Sequence, residues 1–424
     1  MRIRFSQALV LGMGFLSLSA PASALDWKSA VAELSRSNPE LKAGQQSLHA
    51  AQQSIRTSES ALYPQVSSSL GYSYGASQSS VLAGDKGPDA KGSFTAGLTI
   101  SQSIFSGGSD TARIDQARAS ATSSAVSLLS LKARLSNELK TAFASLVYAQ
   151  RAVTLQEDII RRRKDNLNLV ELRFESGREN KGSVMQSEAY LKQARFEALQ
   201  ARQNLEVSQL QIVRLLGREG KSDLIASDEV PPGVPEAHPD FLTLARESPD
   251  SKQAKVQLES AKLGMTLARA GYFPTLSVSG QLGRQGDQFF PNRETWSVGV
   301  ALNYPLYSGG KDSSALIAAQ DTMQAAALTL ENSDRSLVAK LQQAHGSWIQ
   351  ATEKLEVDIG FAKAAQVRAD IARSKYNNGL ISFDEWDKIE NELISWQRSV
   401  LSSQRERVVT EANWELLQGK GVIP

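Results

Sequence analysis

The sequence contains an internal repeat, and this duplication restricts the folds that the chain can adopt more than any other feature. Three short motifs occur in the same order in both halves. They are Tyr63-Pro64 and Phe273-Pro274, Phe105–Gly108 and Tyr307–Gly310, and Arg173–Gly177 and Lys375–Gly379. Similarity at a fixed spacing indicates that each half is one structural unit and that the two units share a fold.

The spacing of these motifs divides the chain into segments. The first pair is 210 residues apart and the later pairs are 202 residues apart, which places one 8-residue difference in the loop 76–92. Four prolines between residues 231 and 239 indicate a linker. We therefore expect a first repeat at 25–217, a linker at 218–240, a second repeat at 241–419 and a short tail at 420–424.

Each repeat is predicted to begin with a short helix and to continue with a pair of strands, at 65–104 and at 275–306. Apolar residues alternate there with Ser, Thr, Gly and other small uncharged residues, and a period of two is typical of strands. The strands are close to the length of about 10 residues that a tilted strand needs to cross a bilayer. The alternation also fits the edge of a soluble sandwich, but such a sheet usually carries charges on its wet face.

The second part of each repeat is predicted to be a long helical hairpin, at 109–216 and at 311–418. Residues 109–176 contain neither Gly nor Pro, and a helix of that length reaches about 100 Å. Apolar residues recur every seven positions along both hairpins, as they do in helices that coil around one another. The sequence therefore predicts a mainly α-helical chain with an extended coiled coil.

The N-terminus has the pattern of a secretory signal peptide. Arg2 and Arg4 precede the apolar run Ala8–Leu18, and Ala22-Ser23-Ala24 is a small-residue cleavage site. We expect residues 1–24 to be removed on export. No later stretch reaches 18 consecutive apolar residues, so a route into a membrane would have to use the strands.

Membrane strands would force the chain to oligomerise. Four strands cannot close a barrel, since about eight is the minimum. An open sheet in lipid would leave unpaired backbone groups along its edges, at several kcal/mol each. Several copies must therefore combine into one barrel.

Composition argues against catalysis. The chain has 47 basic and 45 acidic residues, no Cys and only three His, which excludes thiolate chemistry and leaves no His-rich metal site. Ser308–Ser313 is similar to the phosphate loop of ATP pyrophosphatases, but a like turn at Ser106–Asp110 favours two strand-to-helix turns with capping residues. The glycines of these turns are Gly107, Gly108, Gly309 and Gly310. We predict no enzymatic activity, no cofactor and no metal.

A Tyr/Phe-Pro element precedes the first strand of each repeat, and a Phe/Tyr-Ser-Gly-Gly turn follows the second strand. Both motifs occur twice and in the same register. With these motifs the chain resembles the TolC family of outer-membrane efflux and secretion channels. The resemblance covers Leu25 to Gly419. It implies a homotrimer in the outer membrane, with a 12-stranded β-barrel of four strands per chain and an α-helical tunnel in the periplasm. It also implies a periplasmic adaptor protein and an inner-membrane pump as partners, and no nucleic acid.

The resemblance assigns roles to the reversals of the long helices. The turns near Gly177 and Gly379 are expected to contact the adaptor, through Phe174, Gly177, Ser183, Gly379 and Phe383. Tyr376 is expected at the gate, and Asp384 and Glu385 at a ring of acids that attracts cations. Acids in the first turn of a helix are also favoured by its dipole alone. Two positions depart from the family, since Ile381 replaces a gate-closing Arg and Lys388 replaces a second acid.

Two further expectations concern charge and function. The basic run Arg161–Lys164 is expected on a solvated or inter-subunit face, paired with Glu157, Asp158 and Asp165, with a lumen charge or an adaptor contact as the other possibilities. The resemblance implies a passive exit duct for a pump, for small molecules or for a type I secreted protein. The alternative is a non-conducting structural or adhesive stalk anchored in the outer membrane.

Overall fold

The computed structural model describes residues 24–75, 91–220 and 223–423. The predicted signal peptide 1–24, except its last residue, lies outside the described residues, as does most of the loop 76–92. No helix in the described part of the chain is both long enough and apolar enough to cross a membrane.

Helices and strands alternate in the same order in both halves. The first half contains β1 (Ala24–Leu25), α1 (Trp27–Ser37), α2 (Pro39–Glu59), a 3-10 turn (Ser60–Leu62), β2 (Gln65–Gly75), β3 (Lys91–Phe105), α3 (Ser109–Glu175) and α4 (Lys181–Leu216). The second half contains β4 (Ile225–Ala226), α5 (Phe241–Glu247), α6 (Pro249–Ala270), β5 (Thr275–Gly286), β6 (Arg293–Asn303), α7 (Lys311–Asn377) and α8 (Phe383–Gln418).

The duplication extends to helix length and strand register. The long helices α3 and α7 both have 67 residues, and the returning helices α4 and α8 both have 36. In the hairpin β2–β3, Gln65 is paired with Ser101. In the hairpin β5–β6, the residues at the corresponding positions, Thr275 and Asn303, are paired in the same way. The two repeats therefore form equivalent hairpins residue by residue.

The four long strands form one antiparallel sheet in the order β2-β3-β5-β6. Its even-numbered side chains are mainly apolar and largely exposed, for example Leu70 at 89% and Trp296 at 77%. Its odd-numbered side chains are mainly Ser, Thr, Gly and Gln. One face is therefore suited to an apolar surrounding and the other to water.

Backbone contacts divide the chain into two compact units. The first unit (1–36, 139–232 and 355–408, where described) contains the helix reversals, β1, β4 and a core that includes Phe143, Leu146 and Trp386. The second unit (37–138, 233–354 and 409–424, where described) contains the sheet and a core around Leu341, Trp348 and Trp414.

Candidate functional site

The two helix reversals lie in the first unit and are built alike. Each long helix ends at a glycine with positive φ, Gly177 at 70° and Gly379 at 74°. Each glycine N–H bonds back to the carbonyl three residues earlier, and the next N–H bonds to the carbonyl five residues earlier, which satisfies the free carbonyls of the helix end. Asn180 then caps α4 by accepting from the Ser183 N–H at 3.0 Å.

The second reversal contains an aromatic cluster that has no counterpart in the first. Tyr376 at the end of α7 is fully buried and stacks on Trp386 of α8, with ring centroids 4.3 Å apart and planes 12° apart. Phe383 packs edge-on against both rings. Val170 of α3 joins the same cluster, so the second reversal packs against the first hairpin.

A polar link joins the two reversals at Tyr376. Its hydroxyl donates to Oε2 of Glu179, in the turn before α4, at 2.8 Å. Oε1 of Glu179 accepts from the Ser183 hydroxyl at 2.9 Å and from the Asn180 N–H at 3.1 Å. Both carboxylate oxygens are thus engaged within the chain, which leaves Glu179 little capacity for another partner.

Arg173 also contacts Tyr376, over the face of its ring. Its guanidinium carbon lies 4.5 Å from the Tyr376 ring centroid. Nη1 donates to the carbonyl of Tyr376 at 2.7 Å and to that of Asn377 at 3.3 Å, at the C-terminal end of α7. A cation is favoured both over an aromatic face and at a helix C-terminus.

The protonation states of the pair follow from these contacts. Burial raises the pKa of the Glu179 carboxyl, but hydrogen bonds from Tyr376, Asn180 and Ser183 lower it more, so the pKa lies below its ordinary value. Burial, and then the neighbouring carboxylate, raise the pKa of the Tyr376 phenol well above its ordinary value. A neutral phenol therefore donates to an ionised carboxylate throughout the neutral range.

The structure places the predicted tip residues in different settings. Asp384 and Glu385 are exposed in the first turn of α8, where the Ser382 hydroxyl caps the Glu385 N–H at 3.2 Å. This position suits either an acidic ring or a dipole preference, so the ring stays a prediction.

The residues predicted to contact an adaptor divide into two sets. Phe174, Gly177 and Gly379 are exposed at the reversals. The side chains of Ser183 and Phe383 are buried and bond or pack within the chain. A surface for another protein at these turns is therefore offered by the first set.

Sequence reasoning missed Glu179 and Arg173. Their only sequence signal is a charge on either side of Gly177, and spacing within one hairpin does not reveal a partner in the other hairpin.

The expectation for the basic run is corrected by the structure. Arg161 is exposed and pairs with Asp158, as predicted, but the next two arginines turn inward. Arg162 bonds Glu390 through both guanidinium arms, the Nη2–Oε1 bond being 2.8 Å, and Glu390 is only 1% exposed. Arg163 lies 3.3 Å from Asp387 and also donates to Asn391.

These inward side chains form a buried charged layer between α3 and α8. Burial raises the pKa of Asp387, and hydrogen bonds from Tyr190 and Arg163 oppose that shift. Asn166 donates to Glu390 at 3.3 Å and completes the layer. The first hairpin is therefore joined to α8 by ion pairs as well as by apolar packing.

The glycine turns after β3 and β6 are structural. Gly107, Gly108, Gly309 and Gly310 all have positive φ, between 65° and 84°. The Ser106 hydroxyl accepts from the Asp110 N–H at 3.1 Å, and the Ser308 hydroxyl accepts from the Asp312 N–H at 3.4 Å. Both turns thus cap the long helix that follows, which supports the capping interpretation of the Ser-Gly-Gly motif.

Comparison with known proteins gives a consistent result. Residues 30–218 and 243–419 match the family described as outer membrane efflux protein. SilC of Salmonella typhimurium, a probable outer membrane lipoprotein, is 20% identical over 93% of this chain and 85% of its own length. The cation efflux system protein CusC of Escherichia coli is 21% identical over 65% of this chain and 61% of its own length.

The fold is that of a solved outer membrane protein. The crystal structure of VceC from Vibrio cholerae superposes with a TM-score of 0.79 over 93% of this chain and 96% of VceC. The two sequences are 17% identical, so this likeness is one of fold.

The Glu179–Tyr376 link predicts an acid-sensitive contact between the two reversals. A carboxyl with a lowered pKa stabilises the linked state fully above its ordinary value of 4.5, and the stabilisation is lost as pH falls through the lower pKa of the linked state. If the reversals form the gate, as the family resemblance implies, the open fraction of single channels should rise about tenfold as pH falls from 5 through the lowered pKa of Glu179, since a charged hydrogen bond is lost.

In Glu179→Gln the open fraction should be high already at pH 7 and should change little down to pH 3. Glu188→Gln, which neutralises an exposed acid on the helix that follows Glu179, is the matched control and should behave as the wild type. An acid transition of the same size in Glu179→Gln would contradict the role given to Glu179.

The charged layer predicts unequal effects of two neighbouring arginines. Arg162→Met leaves Glu390 buried without its cation and should lower the free energy of unfolding by about 3–5 kcal/mol. Arg161→Met removes an exposed pair and should cost less than about 1 kcal/mol. Thermal unfolding of the purified variants measures both, and equal losses would show that Arg162 is not part of a buried pair. The double variant Arg162→Met with Glu390→Met should recover most of the loss.

Proposed function

Since the chain belongs to the outer membrane efflux protein family, we propose that three copies of it form the exit duct of a tripartite efflux or type I secretion system. The protein is an outer-membrane channel component whose helical part lies in the periplasm. It conducts passively, without chemistry or cofactor. The observation that carries this proposal is the four-stranded sheet, with one apolar face, one small polar face and two open edges.

The two faces of the sheet suit lipid on one side and a water-filled lumen on the other. The apolar face carries large side chains over about the length that crosses a bilayer. These are Val66, Leu70, Tyr72, Leu98, Ile100, Leu282, Trp296, Val298, Val300 and Leu302. At one end of this face Arg284 pairs with Glu294 at 2.6 Å, where the apolar band gives way to charge. The opposite face has hydroxyls and glycines that hold no cargo tightly.

Two exposed apolar stripes of the first unit support assembly into a ring. On α4 the stripe runs along Met185, Phe196, Leu199, Val207 and Leu210. On α7 the stripe runs along Val357, Phe361, Val367 and Ile371. Their spacing keeps each stripe on one face of its helix. Because the stripes are different surfaces of one chain, contact between them joins copies head to tail, as a ring of identical copies requires.

The reversals form the periplasmic gate and the docking site of the adaptor. Tyr376, held by Glu179 and Arg173, keeps the second reversal packed on the first. Asp384 and Glu385 then line the narrowest point of the tunnel. Phe174, Gly177 and Gly379 offer the exposed surface to the adaptor, which brings the inner-membrane pump. The cargo class is not assigned by the relatives, one of which is named for cation efflux.

The acidic ring predicts a change in ion conduction. Neutralising Asp384→Asn together with Glu385→Gln removes six charges from a trimer, which should raise conductance and weaken block by multivalent cations about tenfold. Planar-bilayer recordings of detergent-extracted protein measure both quantities. The control neutralises two exposed acids of α7, Glu353→Gln with Glu356→Gln, and should leave block unchanged.

Each outcome bears on a different part of the proposal. Discrete, cation-preferring steps support the duct. Unchanged block in the Asp384 and Glu385 variant would place the constriction elsewhere while leaving the channel intact. Silence from both inserted variants would contradict the duct and favour a stalk. Disruption of the gene, with drug sensitivity compared against loss of a secreted protein, then separates efflux from secretion.

A further inference from the structure

A small cavity lies between α3, α4 and α8, next to the aromatic cluster of the second reversal. Its walls include Asn166 of α3, Ser187 of α4, and Trp386 and Glu390 of α8. Each of these four residues is at most 5% exposed. The cavity offers the centre of a water molecule about 10 Å³ of space, which is close to what a single water needs. It therefore has buried polar walls and room for one small molecule.

Two polar atoms of these walls are left over by the hydrogen bonds of the protein. They are the indole Nε1 of Trp386 and the amide Oδ1 of Asn166. Both atoms are buried, and neither has a hydrogen-bond partner among the residues that the structure describes. A buried donor or acceptor that stays unpaired is strongly destabilising. A donor and an acceptor in the walls of one small cavity therefore indicate a bound group that satisfies both.

The orientation of the Asn166 amide is set by its nitrogen. Nδ2 donates to Oε2 of Glu390 at 3.3 Å. An ionised carboxylate cannot donate, so the arm of the amide that faces Glu390 must be the nitrogen and the other arm must be the oxygen. Among the described side chains, none supplies the donor that Oδ1 needs.

We propose that this cavity binds one water molecule, which accepts a hydrogen bond from Trp386 Nε1 and donates one to Asn166 Oδ1. The second proton of the water is donated to Oε1 of Glu390. That oxygen accepts from Arg162 Nη2 at 2.8 Å, and a carboxylate oxygen can accept a second bond. Three hydrogen bonds to otherwise unsatisfied polar groups are typical of a buried water.

The chemistry of the walls favours water over an ion. A cation in the cavity would face the N–H of Trp386, and an anion would face the amide oxygen of Asn166 and two carboxylates. Those carboxylates, Asp387 and Glu390, are already paired with arginines, so they leave no net charge for an ion to balance. A neutral molecule that both donates and accepts is the group that satisfies the two leftover atoms.

The water joins the charged layer to the aromatic cluster. Asn166 and Glu390 belong to the layer, and Trp386 carries the stacked ring of Tyr376. The water holds the edge of the indole while Tyr376 lies on its face, so the orientation of this ring depends on α3 as well as on α8. The repeat equivalents of Trp386 and Asn166 are Val184 and Arg368, which lack the indole donor and the amide acceptor. The site is therefore specific to the junction inside the chain.

A crystal structure of the full chain, at a resolution that shows ordered waters, tests the site directly. We expect one isolated peak at about 2.7–3.2 Å from both Trp386 Nε1 and Asn166 Oδ1. In Trp386→Phe the aromatic stack is kept but the donor is lost, so the peak should weaken or disappear. An empty cavity in the wild type would overturn the proposal. So would a peak with several oxygen contacts of about 2.3–2.6 Å, which indicate a metal ion.

A double-mutant cycle tests the coupling that the water provides. Trp386→Phe and Asn166→Leu should each lower the thermal midpoint of the purified protein. Their combination should lower it by clearly less than the sum, because either change alone releases the water. The control combines Asn166→Leu with Trp396→Phe, since Trp396 is stacked on Phe361 and is not among the residues that line the cavity, and its losses should add.

The cycle has a clear negative outcome. Additive losses for Trp386 and Asn166 would contradict a shared water. Neither measurement depends on conduction, so a failure here would leave the proposed duct untouched.

Discussion

Unpaired backbone groups along the outer edges of β2 and β6 are the constraint on which the rest of this structure depends. Hydrocarbon offers no partner to an amide or a carbonyl, and each unpaired group costs several kcal/mol there. A chain with two repeats satisfies one repeat-to-repeat junction internally and leaves the equivalent junction open. The helical part of the chain also needs a partner, because the apolar stripes on α4 and α7 are exposed in the single chain. In the proposed duct, assembly of the copies is therefore a condition of folding in the membrane.

Elements with a strict period could be predicted from the sequence. Alternation placed the strands within a few residues of their observed ends, because the two faces of this sheet meet opposite surroundings. The long helices could be predicted from stretches with little or no Gly and Pro. Their ends could be predicted from Gly177 and Gly379, because a reversal of the chain needs the positive φ that these glycines adopt. The family resemblance was confirmed by the match over both repeats.

Contacts between hairpins could not be predicted in the same way. A seven-residue repeat continued along α3 from Leu146 reaches Ile160 and Leu167, which are only partly buried, whereas Arg163 and Asn166 are buried. A period of 3.6 residues drifts against a repeat of seven, so a seam correct near Leu146 points elsewhere several turns later. This drift brought Arg163 inward, against expectation. The partners of Arg162 and Glu179 lie 228 and 197 residues away, and no local pattern encodes such distances.

The repeats differ where the proposed duct must open. Within the chain, Tyr376 meets Glu179 through a charged hydrogen bond. The repeat equivalents of these residues are Phe174 and Ile381, so the same junction between copies would be apolar. An apolar contact holds surfaces together without fixing a direction, whereas a charged hydrogen bond has a preferred geometry and an energy that depends on protonation. The two junctions thus differ at two equivalent positions, and only the junction with the Tyr-Glu pair depends on protonation. In the proposed duct, protonation of the Tyr-Glu link inside each chain would release the second reversal while the apolar contacts between copies stay intact.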